Sequence, residues 1–325
     1  MGALTRSRSQ VQSPGFRTTA WTHFGRLGVL LAAIVLSASA VPAFTAPVQV
    51  APGAAVPFPA TVDWLAIRLS DPKLVLLHVG EKAEYDAEHI PGAQYVLRQE
   101  LSTPSDSRPV LEMPPPDQLR RAFETLGVSN DSTIVVYFGK DWVTPAARVV
   151  LTLHYIGLGA RTTFLDGGMP AWRAAGKPTS AETKTVERGH VTTAVRDDVI
   201  VDAAWVQRQL EQREIALVDA RTPNFYRGES AGSAARAGHI PGAVNIPFSS
   251  VVDDNLKLKD RATLEAAFGS AGIRPGKTVV TYCHIGQQAS LLYLVARHLG
   301  FPTRMYDGSF TEWASKPDLP VDKAP

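Results

Sequence analysis

The apolar positions of this chain fall into short continuous runs separated by stretches of helical spacing, and the same order appears twice. In the second half, residues 203–212 carry apolar side chains at helical intervals and 216–220 form a short apolar run. Asp260 then opens a second helical stretch that extends to residue 271. Residues 278–282 are again a β-rich run, and 288–299 repeat the helical period. The run Val279-Val280-Thr281-Tyr282 shows no strict in-out alternation, which predicts a strand covered by helices on both faces. Strands and helices in alternation predict an α/β fold with a parallel sheet.

The first half carries the same landmarks in the same order. His89-Ile90-Pro91-Gly92-Ala93 recurs as His239-Ile240-Pro241-Gly242-Ala243, and the apolar run 134–138 corresponds to 278–283. Leu165-Asp166-Gly167-Gly168, followed by Trp172, corresponds to Tyr306-Asp307-Gly308-Ser309, followed by Trp313. The chain therefore reads as two tandem domains of one fold, each a parallel sheet flanked by helices. We expect them over residues 61–178 and 199–325, joined by a linker at 179–198 within the polar, weakly patterned stretch that begins near residue 174. Residues 41–60, rich in Pro and Ala, read as an extended leader, and 103–116 as a proline-rich surface loop whose last proline enters a helix. Trp172 and Trp313 read as core aromatics beneath the Asp-Gly turns.

Residues 1–40 differ in kind from the rest. Arg6, Arg8, Arg17 and Arg26 stand there without any acidic residue, an apolar run covers 27–36, and Ala38-Ser39-Ala40 fits a cleavage site. This predicts an export signal cut after Ala40 and a periplasmic or secreted mature protein without stable membrane association. The apolar run is short for a bilayer span, so an uncleaved anchor is the alternative reading. The 325 residues hold 33 Lys and Arg against 31 Asp and Glu; removal of the four signal arginines leaves 29 against 31, a net charge of −2. No basic cluster remains to argue for nucleic acid or an anionic membrane as partner.

The chain has one cysteine, so no disulfide forms within it. A single cysteine is ordinarily a small buried hydrophobe. The setting of Cys283 argues for chemistry instead: it leaves the carboxyl end of the strand at 278–282, where open α/β sheets collect ligands, and a helix follows within a few residues. The intervening turn is His284, Ile285, Gly286, Gln287 and Gln288. Its backbone N–H groups can face inward as an anion nest, with Gly286 permitting the tight path and the helix start adding positive potential. Such a cradle is expected to favour thiolate over thiol and to make Cys283 a nucleophile. His284 is the only loop side chain that can become positive, and the Gln pair can donate hydrogen bonds to an anion.

These residues, together with Tyr85 to Ala93, Asp219-Ala220-Arg221, His239 to Ala243 and Tyr306 to Trp313, give the sequence a resemblance to the tandem-domain rhodaneses, sulfurtransferases of the thiosulfate or 3-mercaptopyruvate type. The resemblance covers nearly all of the chain beyond the signal. It implies a double displacement: the Cys283 thiolate takes the outer sulfur of a small-molecule donor, becomes a persulfide, and passes the sulfur to cyanide, a small thiol or a protein dithiol. It implies no cofactor beyond that sulfur. It implies that Arg221 reaches the donor's anionic end while Asp219 holds the loop. The first domain has Phe138-Gly139-Lys140-Asp141 where the second has Cys283-His284-Ile285-Gly286, so it is expected to be inactive alone, and the resemblance implies that it helps wall the cleft.

The chain also departs from the pattern of the family it resembles. Mercaptopyruvate-type members place a second arginine where Phe225 stands, with Arg227 as the candidate substitute, and a loop serine where Ile285 stands. Thiosulfate-type loops carry basic side chains that are missing here. This shortage of positive charge predicts modest thiosulfate efficiency that declines as pH rises through the pKa of His284. His89 and His239 precede Pro-Gly and read as turn anchors, with His89 a secondary candidate for chemistry. No His, Cys, Asp and Glu cluster has metal-ligand spacing and no Gly-rich phosphate loop is present, so neither metal nor nucleotide is expected. A Cys-dependent phosphatase needs an arginine six residues after the cysteine, and Ala289 stands there. A persulfide carrier or redox-binding module without turnover is the alternative that the same loop would serve.

Overall fold

The computed structural model describes residues 56–104, 112–212 and 215–324; the segment expected to be an export signal, its expected cleavage site and most of the expected leader lie outside the described residues. Strands β1 (Leu74–Val79), β2 (Gln94–Tyr95), β3 (Thr133–Phe138) and β4 (Thr162–Phe164) form one parallel sheet in the order β2-β1-β3-β4. Strands β5 (Ile200–Val201), β6 (Ile215–Asp219), β7 (Val244–Asn245), β8 (Thr278–Tyr282) and β9 (Thr303–Tyr306) form a second, in the order β5-β9-β8-β6-β7. Helices α1 (Val62–Ala66), α2 (Lys82–Ala87), α3 (Pro116–Thr125), α4 (Val143–Tyr155) and α5 (Gly168–Ala174) accompany the first sheet. Helices α6 (Ala203–Gln212), α7 (Pro223–Tyr226), α8 (Arg261–Ser270), α9 (Gln287–His298) and α10 (Ser309–Ser315) accompany the second.

The unbroken apolar runs have a direct structural cause. Along β8, Val279 enters one buried cluster while Val280 and Tyr282 enter another on the opposite face. Along β3, Ile134, Val136 and Phe138 point one way and Val135 and Tyr137 the other. Both strands are covered on two sides, so neither face needs polar residues. Helix α8 starts where its cap predicts, with the Asp260 carboxylate accepting from the Thr263 N–H at 3.0 Å. The short helices α1 and α7 escaped the periodicity, each being barely one turn long.

The duplication extends to individual hydrogen bonds. His78 pairs in register with Tyr137 across β1 and β3, as Asp219 pairs with Tyr282 across β6 and β8. Tyr85 and Tyr226 donate to the carbonyls of Ala93 and Ala243, and the Tyr137 and Tyr282 hydroxyls accept from the Ile90 and Ile240 N–H groups. Trp172 and Trp313 are buried and donate to Pro178 and Pro320 carbonyls at 2.8 Å. The two halves share one core. Helix α4 packs against α9, and a single cluster of buried apolar side chains runs from Val150 and Leu151 to Leu291, Leu292 and Val295. Each such side chain contributes about 1.5–3 kcal/mol by leaving water, so the first half is not a detachable cover.

Candidate active site

Cys283 follows β8 directly, and Gly286 caps α9 with a left-handed φ of +82°. That conformation, and the space, call for glycine: a Cβ there would sit 2.9 Å from Asp307 Oδ1 and 3.1 Å from Arg148 Nη1. The loop therefore turns tightly around the sulfur, and the N–H groups of Ile285, Gln288 and Ala289 are directed at it. Cys283 is itself only 1% exposed, so the thiol lies at the base of the loop rather than being presented on it. Its own N–H donates to Ser309 Oγ at 3.1 Å, and its carbonyl accepts from the Phe310 N–H at 2.9 Å. Ser309 holds a left-handed φ of +53° where the repeat has Gly168, and its hydroxyl in turn donates to the Tyr306 carbonyl. That backbone costs about 1–2 kcal/mol in a non-glycine residue; the serine tolerates it while tying the ends of β8 and β9 together.

The electrostatics correct three expectations. Burial is the largest influence on Cys283 and raises its pKa above the ordinary thiol range; the N–H groups of Ala289, Ile285 and Gln288 pull it down without winning, and Asp219 adds to the rise. The resting loop therefore favours thiol, because a sealed cradle removes more hydration than three amides return. His284 does not supply the missing cation. Its ring meets Phe225 edge-on at 4.5 Å, and burial, then Arg221, pushes its pKa down to about 4.

Arg221 is the third correction, since it is sealed rather than reaching from the cleft wall. Its guanidinium is held bidentately by Asp219 at 3.0 and 2.6 Å, donates to the Gly238 carbonyl at 2.7 Å, and lies 4.0 Å over the Phe310 ring. Both members of the pair are fully buried, and Nη1 has no partner. Arg227 does not replace a second arginine: it is at the surface in an ion pair with Glu229. His89 belongs to the first half, where its ring stacks on Tyr85 and engages the carbonyls of Tyr85 and Glu182. His239 likewise stacks on Tyr226, and its Nδ1 engages the Tyr226 carbonyl.

What periodicity and motif could not reveal is the contribution of the first half. Arg148 of α4 extends beneath Gly286 and pairs with Asp307 at 2.5 Å, the two side chains being 12% and 7% exposed. Asp307 also accepts from the Met113 N–H at 2.7 Å, so the far end of the proline-rich loop is an interdomain contact rather than plain surface. A cavity of about 270 Å³ lies between Arg98, Arg148 and Thr152 of the first half and Ile285 and Gln287 of the cysteine loop. Arg98 is half-buried there and stacks on Trp142 at 4.2 Å. Asp307 was visible in the repeated Asp-Gly motif; Arg148 and Arg98 carry no sequence signal.

Fold and site define a two-domain α/β protein that holds one thiol in a ring of backbone N–H groups, roofed by its own first domain. A family model for the rhodanese-like domain matches residues 61–175 and again 202–316. A thiosulfate sulfurtransferase of Azotobacter vinelandii is 36% identical over 79% of this chain and 94% of its own length. A probable 3-mercaptopyruvate sulfurtransferase of Pseudomonas aeruginosa is 32% identical over 80% and 96%. The crystal structure of the 3-mercaptopyruvate sulfotransferase SseA from Escherichia coli superimposes with a TM-score of 0.70 at 25% identity, covering 79% of this chain and all of that one. The chain belongs to the rhodanese family, with two such domains in tandem, and it is a sulfurtransferase.

Proposed function

We propose that the protein moves a sulfane sulfur from thiosulfate or 3-mercaptopyruvate through a persulfide on Cys283 to cyanide or a thiol. The observation that carries this reading is the convergence of the Ile285, Gln288 and Ala289 N–H groups on the chain's only thiol. In the first displacement the Cys283 sulfur attacks the donor's outer sulfur. A new S–S bond forms, and sulfite leaves with the electron pair of the old one; with 3-mercaptopyruvate a C–S bond breaks and pyruvate leaves as its enolate. In the second, the acceptor attacks the terminal persulfide sulfur and the Cys283 sulfur leaves. The same amides face the Cys283 sulfur as it attacks in the first step and as it leaves in the second, so they stabilise a sulfur anion as oxyanion-hole donors stabilise an oxygen one.

Because burial favours the neutral thiol, the first step includes loss of its proton, and an anion bound in the cleft must be met by charge from elsewhere. The cavity beside Ile285 and Gln287 supports Arg98, with Arg148 behind it, as the group facing the donor's anionic end. Arg221 acts from below the loop, through its lock on Asp219. The arginine-flanked apolar run and the Ala38-Ser39-Ala40 triplet support export, with Val41 as the mature N-terminus; N-terminal sequencing of the exported protein checks it, and a chain beginning at Met1 or Gly2 would refute it. The reaction is tested by steady-state rates with both donors side by side, and by intact mass after donor treatment. The wild type should gain one sulfur, and Cys283→Ser should be folded, inert and unloaded. A loaded serine variant would end the persulfide mechanism.

A further inference from the structure

The two domains differ most sharply where the second keeps Arg221. By strand register His78 occupies the place of Asp219, so Gly80 occupies that of Arg221 and Glu84 that of Phe225. In the second domain the Arg221 guanidinium is surrounded by Asp219, the Gly238 carbonyl and the face of Phe310. Their counterparts in the first domain are His78, Glu88 and Met169, and these three line one cavity of about 370 Å³ together with Glu84, Gly139 and Arg173. The glycine has left the volume of a missing side chain.

That volume is walled by buried polar atoms without partners. His78 is fully buried, and neither of its ring nitrogens has a hydrogen bond; Glu84 Oε2 is buried and unpartnered as well. Both face the point where a side chain at position 80 would begin: a Cβ there would lie 2.8 Å from His78 Nε2 and 3.3 Å from Glu84 Oε2. Burial pushes the His78 pKa down to about 4, with His89 and Arg173 adding to the effect, so at neutral pH the ring keeps one acceptor nitrogen. An orphaned carboxylate oxygen and an orphaned imidazole nitrogen both ask for a donor, and a guanidinium offers five N–H donors and no acceptor.

We propose that the first domain carries a binding site for a guanidinium group, in the cavity that Gly80 leaves where the second domain seats its own Arg221. The planar cation lies between Met169 and His78 and donates to Glu84 Oε2. Arg173, tied to Glu88 by an ion pair, and Lys140 stand exposed at the rim. Their charge weakens binding of a cation and would strengthen that of an anion, which separates the two readings.

The test is titration of the full chain with methylguanidinium chloride, with tetramethylammonium chloride as the cation lacking N–H donors, followed by the methyl signal of Met169, which lines the cavity and is kept in every variant, in NMR spectra. A saturable shift is expected from methylguanidinium alone. It should be about tenfold weaker in Glu84→Gln, tighter in Lys140→Gln, and absent in the double variant His78→Asp, Gly80→Arg, which supplies its own guanidinium. The sulfur-transfer rate of Glu84→Gln should equal that of the wild type and serves as its folding control, so the proposal can be decided even if the double variant fails to fold. A capped Gly-Gly-Arg peptide that competes points to an arginine side chain as the natural occupant; one that does not compete, beside a saturable methylguanidinium shift, points to a small free cation. No saturable shift, equal shifts from both cations, weaker binding in Lys140→Gln, or an undiminished shift in Glu84→Gln would overturn the proposal.

Discussion

Replacing Arg148 with methionine tests whether the first domain supports the sulfur loop or merely lies over it. The substitution keeps most of the buried stem and removes the guanidinium that lies 2.5 Å from Asp307 Oδ1. Breaking a buried ion pair by deleting one partner costs roughly 3–5 kcal/mol, because the remaining charge stays out of water. Asp307 keeps the Met113 N–H at 2.7 Å, so the lower end, about 3 kcal/mol, is the expectation. Denaturation in urea, followed by tryptophan fluorescence, should show the midpoint fall with little change in slope. Adding Asp307→Asn should recover much of the loss, since a neutral amide can stay buried beside methionine; the double-mutant cycle isolates the pair. The same variant should lower kcat/KM, because Gly286 rests directly on the pair. A loss below about 1 kcal/mol, or an Asp307→Asn change that costs as much without Arg148 as with it, would refute the idea that a buried ion pair couples the domains.

Arg98→Gln should raise KM for both anionic donors by about tenfold, the worth of one charge-assisted hydrogen bond, while leaving alkylation of Cys283 by neutral iodoacetamide unchanged; steady-state kinetics beside a timed alkylation series checks both. Because burial raises the Cys283 pKa, alkylation should keep accelerating with pH beyond about 8.5, and a plateau near neutrality would mean that the amide cradle outweighs desolvation. His284, with its pKa near 4, loses its charge well below neutrality, so thiosulfate efficiency should show no fall that His284→Asn removes as pH passes from about 6 to 8. Burial, followed by Asp307 and Glu312, raises the pKa of Glu112 from 4.5 to about 7. A carboxyl group with a raised folded pKa lends stability below its unfolded pKa and loses it as pH rises through the folded one. Thermal midpoints should therefore decline from about pH 5 to 8 more steeply in the wild type than in Glu112→Gln.

Much of the site was readable without coordinates, and the exceptions share a cause. The path from β8 through Gly286 into α9 follows from an apolar run, a turn-forming glycine and a helical period, all within a dozen neighbouring residues. Arg221 reads from its motif as reaching into the cleft, whereas it is locked to Asp219 and sealed, because the seal comes from Gly238 and Phe310, which are remote in the chain. Arg227 was plausible by spacing and is occupied by Glu229 at the surface. Ser309 could have been flagged from the repeat, where a serine replaces Gly168, yet only the backbone shows that it holds a left-handed conformation against the cysteine N–H.

The amino-acid sequence by itself determined the duplicated parallel α/β fold, the turn chemistry of both His-Ile-Pro-Gly-Ala segments and the position of the only thiol at a sheet's carboxyl edge. These depend on periodicity and on φ preferences, which act between near neighbours along the chain. Tertiary structure decided the charge states and the reach of side chains: a thiol kept protonated by burial, a histidine kept neutral, an arginine sealed under the loop and another brought beneath it from the first domain. Desolvation and ion pairing are set by whatever surrounds a group in space. Around Cys283 those surroundings come from both halves of the chain, so no local pattern could have announced them.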